Sequence, residues 1–160
     1  QYQSARPKFA FLYGAVEARV QLPAGAGLLP AVWMLPTSTS SRPEIDILEL
    51  YGQEPDVKRM HLHWQGADGE PQQRGEYTDG VDLTQGWHTV GVRWEPGAVI
   101  WYRDGEEQWR VERDEVPSEP MYLVLNLAIG GDQIGPPGDD VVFPAEMRVD
   151  WVRVWQRADR

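Results

Sequence analysis

The feature that most constrains this chain is hydrophobic alternation with a period of two, with no long helical period anywhere. Val16, Ala18 and Val20 alternate with Glu17 and Arg19, and Val90, Val92 and Trp94 alternate with Gly91 and Arg93. Successive side chains of a strand point to opposite faces, so such runs describe half-buried strands. Val99 to Arg103 and Gln108 to Val111 flank Asp104-Gly105. Both of these residues tolerate positive φ, and the dipeptide marks a tight hairpin. Met121 to Ile129 is apolar on both faces except at Asn126, as expected of a strand covered on both sides inside a sandwich. Met147 to Trp155 reads as a closing strand. Segments 23–27, 36–43, 66–80 and 130–144 carry Gly and Pro and read as connectors. No repeat or linker interrupts the 160 residues, so residues 1–160 are expected to form one all-β domain.

Charge and composition narrow the partners. Lys plus Arg number 15 against 25 Asp plus Glu, a net charge of −10, and no basic cluster offsets it. Neither nucleic acid nor an anionic membrane surface is an expected partner. No apolar run approaches the roughly 20 residues of a membrane span, and no basic-then-apolar leader opens the chain. The absence of cysteine removes disulfides, thiol catalysis and thiolate zinc sites. Eight Trp and six Tyr stand out. Their flat faces fill cores and also stack on sugar rings. Trp87, Trp94, Trp151 and Trp155 are expected in the core, whereas Trp101 and Trp109 fit either place.

The segment richest in chemistry is Glu44-Ile45-Asp46-Ile47-Leu48-Glu49, three acids among Ile and Leu. Glu44 and Asp46 share a strand face, and their like charges should raise at least one pKa. Glu49 has the wrong parity for that face. One extra residue near Ile47 or Leu48, forming a β-bulge, would restore it. Two glutamates so placed suit glycoside hydrolysis, a retaining pair needing roughly 5–5.5 Å and an inverting pair roughly 6.5–9.5 Å. A solvated surface strand is a poor alternative, because Ile45, Ile47, Leu48 and Leu50 are too apolar for water. Calcium would need more oxygen ligands than this segment offers. His61 and His63 are two apart on a strand, but no third ligand follows at useful spacing, so no metal is expected there. His61 reads as a packed or hydrogen-bonded histidine.

These residues resemble the E-x-D-x-x-E signature of glycoside hydrolase family 16 in its bulged form. The resemblance extends along the chain. Tyr13 to Arg19 is similar to Y-G-x-x-E-A-R, and Leu29 to Pro36 to W-P-A-F-W-M-L-P. Leu125 to Gly131 is similar to L-N-L-A-V-G-G, and Met147 to Trp155 to the closing M-x-V-D-Y-V-R-V-Y. The resemblance implies a concanavalin-like jelly-roll sandwich of two curved antiparallel sheets, shortened at the N-terminus. It implies an endo-acting, retaining hydrolase with Glu44 as nucleophile, Glu49 as acid/base and Asp46 assisting. It also assigns Arg6, Glu17, Arg19, Trp33, His63, Trp64 and Asn126 to substrate binding.

Laminarin-type β-1,3-glucan is the first substrate implied, with agarase- or carrageenase-type activity, a non-catalytic glucan-binding module and transglycosylation as alternatives. No cofactor is required for the chemistry. The family's structural calcium ion would use Asp150 with ligands near the N-terminus, a site expected to be incomplete. Secretion or a periplasmic location is implied, as a monomer or an oligomer paired through sheet edges. Ser40-Ser41-Arg42-Pro43 stands where many members carry Trp, and Asp132-Gln133 replaces an aromatic.

Overall fold

The structure, a computed structural model, describes residues 7–38, 41–139 and 141–158. Among these residues ten strands form in chain order: β1 (Gly14–Gln21), β2 (Leu28–Pro36), β3 (Glu44–Leu50), β4 (Lys58–Gln65), β5 (Pro71–Thr78), β6 (His88–Glu95), β7 (Ala98–Arg103), β8 (Glu106–Glu112), β9 (Met121–Ile129) and β10 (Arg148–Trp155). They make two five-stranded sheets, ordered β10-β1-β6-β7-β8 and β5-β4-β3-β2-β9. Every neighbouring pair is antiparallel. The chain folds as the jelly-roll sandwich implied by its motifs.

The alternation in sequence becomes the two sides of each sheet. Val16, Ala18 and Val20 of β1 join Val90, Val92 and Trp94 of β6 and Val99 and Trp101 of β7 in one core. Val32 and Met34 of β2, Ile45, Ile47, Leu48 and Leu50 of β3, and Met60 and Leu62 of β4 meet them from the second sheet. Burial of such side chains, at about 1.5–3 kcal/mol each, is the main force holding the sheets together. The hairpin at Asp104-Gly105 forms as expected, with φ of 51° and 82° and Arg103 paired to Glu106.

Three expectations need correction. The segment 66–80, read as a connector, contains β5. Its residues, PQQRGEYT, are nearly all exposed, so this edge strand has no buried face and no apolar alternation to reveal it. Met121 to Ile129 is not an interior strand, because β9 is the edge of its sheet beside β2 and only half-buried. Trp94 and Trp101 are fully buried, but Trp87 and Trp155 are exposed and Trp151 is half-buried. Trp151 and Trp155 lie on β10, also an edge, opposite Arg19 and Ala15 on the outward side of β1.

A β-bulge interrupts β3. Val32 pairs with Leu48 and Trp33 with Asp46, so Ile47 has no counterpart on β2. On the other side Asp46 pairs with His61 and Glu49 with Arg59, three steps against two. Ile47 and Leu48 both enter the core. Trp101 Nε1, from the opposite sheet, donates a hydrogen bond of 2.8 Å to the Asp46 carbonyl. A buried carbonyl left without a donor costs about 1–3 kcal/mol. Trp101→Phe is therefore expected to lower the melting temperature by about 3–10 °C and to speed amide exchange at Ile47 and Leu48. An unchanged melting temperature with unchanged exchange would show that the indole does not hold the bulge.

Candidate active site

The bulge decides which way the acids point. With Ile45, Ile47, Leu48 and Leu50 committed to the core, Glu44, Asp46 and Glu49 all face outward from the second sheet. Cross-strand partners share a face, and the register lays out the neighbours accordingly. Trp33 lies beside Asp46 on β2 and Ala31 beside Glu49. On β4, His63 lies beside Glu44, His61 beside Asp46 and Arg59 beside Glu49.

Hydrogen bonds run diagonally across this array. His63 Nε2 is 3.0 Å from Asp46 Oδ2, and His61 Nδ1 is 2.9 Å from Glu49 Oε2. Glu44 and Asp46 are hydrogen-bonded to each other. Trp33 Nε1 donates to Asn126 Oδ1 at 2.7 Å, which satisfies the lone amide of β9. The site also contains two features that composition does not advertise. Gly75 faces His61 across β4 and β5, and a Cβ there would stand 2.4 Å from His61 Cδ2, so the glycine makes room for the imidazole. The Tyr77 ring meets His61 edge-on, with centroids 5.8 Å apart. Beyond Glu49, Arg59 stacks its guanidinium 3.7 Å from the Tyr51 ring centre and pairs with Glu54.

The electrostatics follow from burial. Removal from water, then the charge and hydrogen bond of Asp46, push Glu44 up to about 8. Burial and the charge of Glu49 push Asp46 up to about 7. The two titrate as a pair, and near neutral pH one proton bridges them. Glu44, raised the more, holds that proton and donates it to Asp46, and it becomes a carboxylate with a free lone pair once the proton passes to Asp46. His61 is raised, first by its bond to Glu49, whereas burial lowers His63. His63 Nδ1, on the far side of the ring from Asp46, is buried without a partner among the described residues.

Of the residues assigned by resemblance, the structure brings Trp33, His63 and Asn126 to the face carrying the three acids. It does not bring Glu17 and Arg19. They lie on β1 in the other sheet, and because Val16, Ala18 and Val20 face the core they point outward on the far side. There Arg19 bonds Asp150 at 2.6 Å and lies over Trp87. Trp64 is also displaced from the site. One residue beyond His63, it takes the opposite face and packs against the core, with Arg113 over its ring. Arg6 lies outside the described residues. Asp150, which the resemblance names as a calcium ligand, is paired here with the Arg19 guanidinium. His61, read only as a hydrogen-bonded histidine, is the partner of Glu49; its even spacing from His63 was the available clue.

The raised carboxyls carry a stability consequence. Between the ordinary values of 4.5 and 3.8 and the folded values of about 8 and 7, the unfolded chain has released protons that the folded one keeps. The folded state is therefore progressively disfavoured as pH rises through that window. Glu44→Gln removes one ionising group. It is expected to raise the melting temperature at pH 8 or above by about 3–6 °C, roughly 1–2 kcal/mol after solvent screening. The gain should vanish near pH 4. A melting curve at pH 8 no higher than the parent's would contradict the assignment of raised values.

Comparison with known proteins places this geometry. The model of glycosyl hydrolases family 16 matches residues 1–153. The chain is 36% identical over 149 residues to the endo-1,3-1,4-beta-glycanase EglC of Rhizobium meliloti, covering 92% of this chain and 31% of that protein. It is 32% identical over 183 residues to glucan endo-1,3-beta-glucosidase A1 of Niallia circulans, covering 98% and 26%. It thus spans about a third or less of these relatives. Among solved structures, the endo-beta-1,3-glucanase of Pyrococcus furiosus superposes with a TM-score of 0.81 at 36% identity, covering 93% of this chain and 63% of that one. The laminarinase catalytic domain of Thermotoga maritima superposes at 0.83 and 30%, covering 96% and 68%. With its bulged trio of acids on the sandwich those proteins share, the chain belongs to glycosyl hydrolase family 16.

Proposed function

We propose that this chain is the catalytic domain of a retaining, endo-acting glycoside hydrolase that cleaves β-1,3-linked glucan of the laminarin type. The observation that carries the reading is the bulge at Ile47, which turns Glu44 and Glu49 to one face with Asp46 between them. The names of the relatives and structural neighbours support the substrate class.

In the first step Glu44 Oε attacks the anomeric carbon while the bond to the leaving glycosidic oxygen breaks, and Glu49 gives that oxygen its proton. His61 Nδ1, 2.9 Å away, orients the Glu49 carboxyl and accepts from it while the proton is on Glu49. Asp46, donating to Glu44, steadies the nucleophile's charge before attack and relinquishes it as the ester forms. Esterification removes a negative charge from the site, which favours Glu49 as a carboxylate. Glu49 then takes a proton from water as the water oxygen attacks the same carbon. Two inversions give net retention. Trp33, fixed through Asn126, offers an aromatic surface beside Asp46 for sugar stacking. No cofactor enters these steps. A polymeric substrate places the activity outside the cell membrane, in keeping with a secreted or periplasmic protein.

Reducing-end release from laminarin tests the reading. Glu44→Gln is expected to abolish turnover with oligosaccharide binding kept, and Glu49→Gln to slow it by about 10²–10⁴. Proton NMR of the first product should show the β-anomer. Equal activity in Glu44→Gln and the parent, or release of the α-anomer, would overturn it. The pH profile supplies a second test. Because Glu44 attacks only when ionised and the pair is raised to about 8 and 7, kcat/KM should fall below about pH 7, well above an ordinary carboxylate limb. Asp46→Asn removes the neighbouring charge that helps raise Glu44, so its acid limb should move down by about one pH unit while kcat falls. A limb near pH 4.5 in the parent would contradict the shared proton.

A further inference from the structure

We propose that Asp46, His61 and His63 form a binding site for an imidazole-preferring divalent transition-metal ion, represented by Zn²⁺, and that such an ion inhibits the enzyme by dismantling its proton network. The two histidines alternate on β4 with one residue between them, so both rings stand on the face carrying the acids, their centroids 5.6 Å apart. The third ligand comes from β3, across the sheet. Asp46 Oδ2 is 3.0 Å from His63 Nε2 and 3.9 Å from His61 Nδ1. All three ligand atoms lie within 4.8 Å of one another.

A tetrahedral zinc ion has bonds of about 2.0–2.2 Å to nitrogen and oxygen, which set neighbouring ligand atoms about 3.3–3.5 Å apart. The observed separations from Asp46 bracket that value, and small ring rotations would close the set. Two neutral nitrogens and one carboxylate oxygen, with the fourth position left to water, is a common donor set for this ion. His61 Nε2 faces the Tyr77 hydroxyl at 3.5 Å, an outer partner of the kind that orients a metal-bound imidazole. The rings remain reachable, with His61 and His63 side chains 12% and 17% exposed. Hard cations are a poor match, because calcium and magnesium take oxygen ligands and here two of three donors are imidazole.

The consequence for the enzyme is direct. The ion occupies His61 Nδ1, which otherwise bonds Glu49, and the Asp46 oxygen that meets His63. Glu49 loses its partner and Asp46 is drawn from Glu44. Binding does not depend on the hydrolase reading; inhibition does.

Equilibrium dialysis of the full chain, stripped with EDTA, against Zn²⁺ is expected to give one ion per chain. Ca²⁺ and Mg²⁺ should not compete. His61→Ala, His63→Ala and Asp46→Asn should each weaken Zn²⁺ binding at least about tenfold. Co²⁺ added to the unmutated protein should give the intense visible absorption of a four-coordinate site, a readout that needs no variant. Zn²⁺ should suppress laminarin hydrolysis reversibly, with EDTA restoring it. No stoichiometric binding, equal affinity in the three variants, or displacement by Ca²⁺ would overturn the site. Binding without inhibition would overturn the inhibitory role. A chain that binds Zn²⁺ as expected yet never hydrolyses glucan would keep the site and remove the hydrolase reading.

Discussion

One hydrogen bond between the sheets organises much of this molecule. The Trp101 indole reaches across the core to the Asp46 carbonyl at the point where β3 carries an extra residue. In a regular strand the three acids could not share a face, since residues 44 and 49 differ in parity. The bulge solves that geometry at the expense of a ladder that no longer pairs residue for residue. Burial of Ile47 and Leu48 together with the indole donor holds the irregular backbone in place. The chemistry on the outer face thus rests on packing and hydrogen bonding beneath it.

The outer face is costly in its own way. Carboxyls half or wholly removed from water, with like charges beside them, disfavour the folded state at neutral pH. The same crowding keeps a proton between Glu44 and Asp46, as the proposed nucleophile and its assistant would need. His61 and His63 divide the task of holding the trio, one on Glu49 and the other on Asp46. The absence of a side chain at Gly75 gives the first of them its room. Stability and function pull in opposite directions here, as is common where charge is buried for catalysis.

How much of this was legible in the sequence depended on whether local alternation carried the information. The strands with one buried face were visible in their pattern, as was the Asp104-Gly105 hairpin. β5 was not, because an exposed edge strand of Gln, Arg and Glu has no apolar period. Trp87, Trp151 and Trp155 were misplaced because an indole's chemistry suits core and surface alike; position at an edge decided the matter. Parity, applied more strictly, would have removed Trp64 from the site, given that His63 belongs to it. It would also have placed Glu17 and Arg19 outward, but not on which sheet.

The amino-acid order alone determined the all-β class, the need for an irregularity in residues 44–49 and the identity of the three acids, since each follows from spacing along one strand. Which residues gather around those acids was decided only by tertiary structure. Register brings Trp33 from β2 and His61 and His63 from β4 beside β3, and sheet order sends β1 with Glu17 and Arg19 to the far side. The physical reason is that face is a local property of a strand, whereas neighbourhood depends on hydrogen-bond pairing between segments distant in sequence.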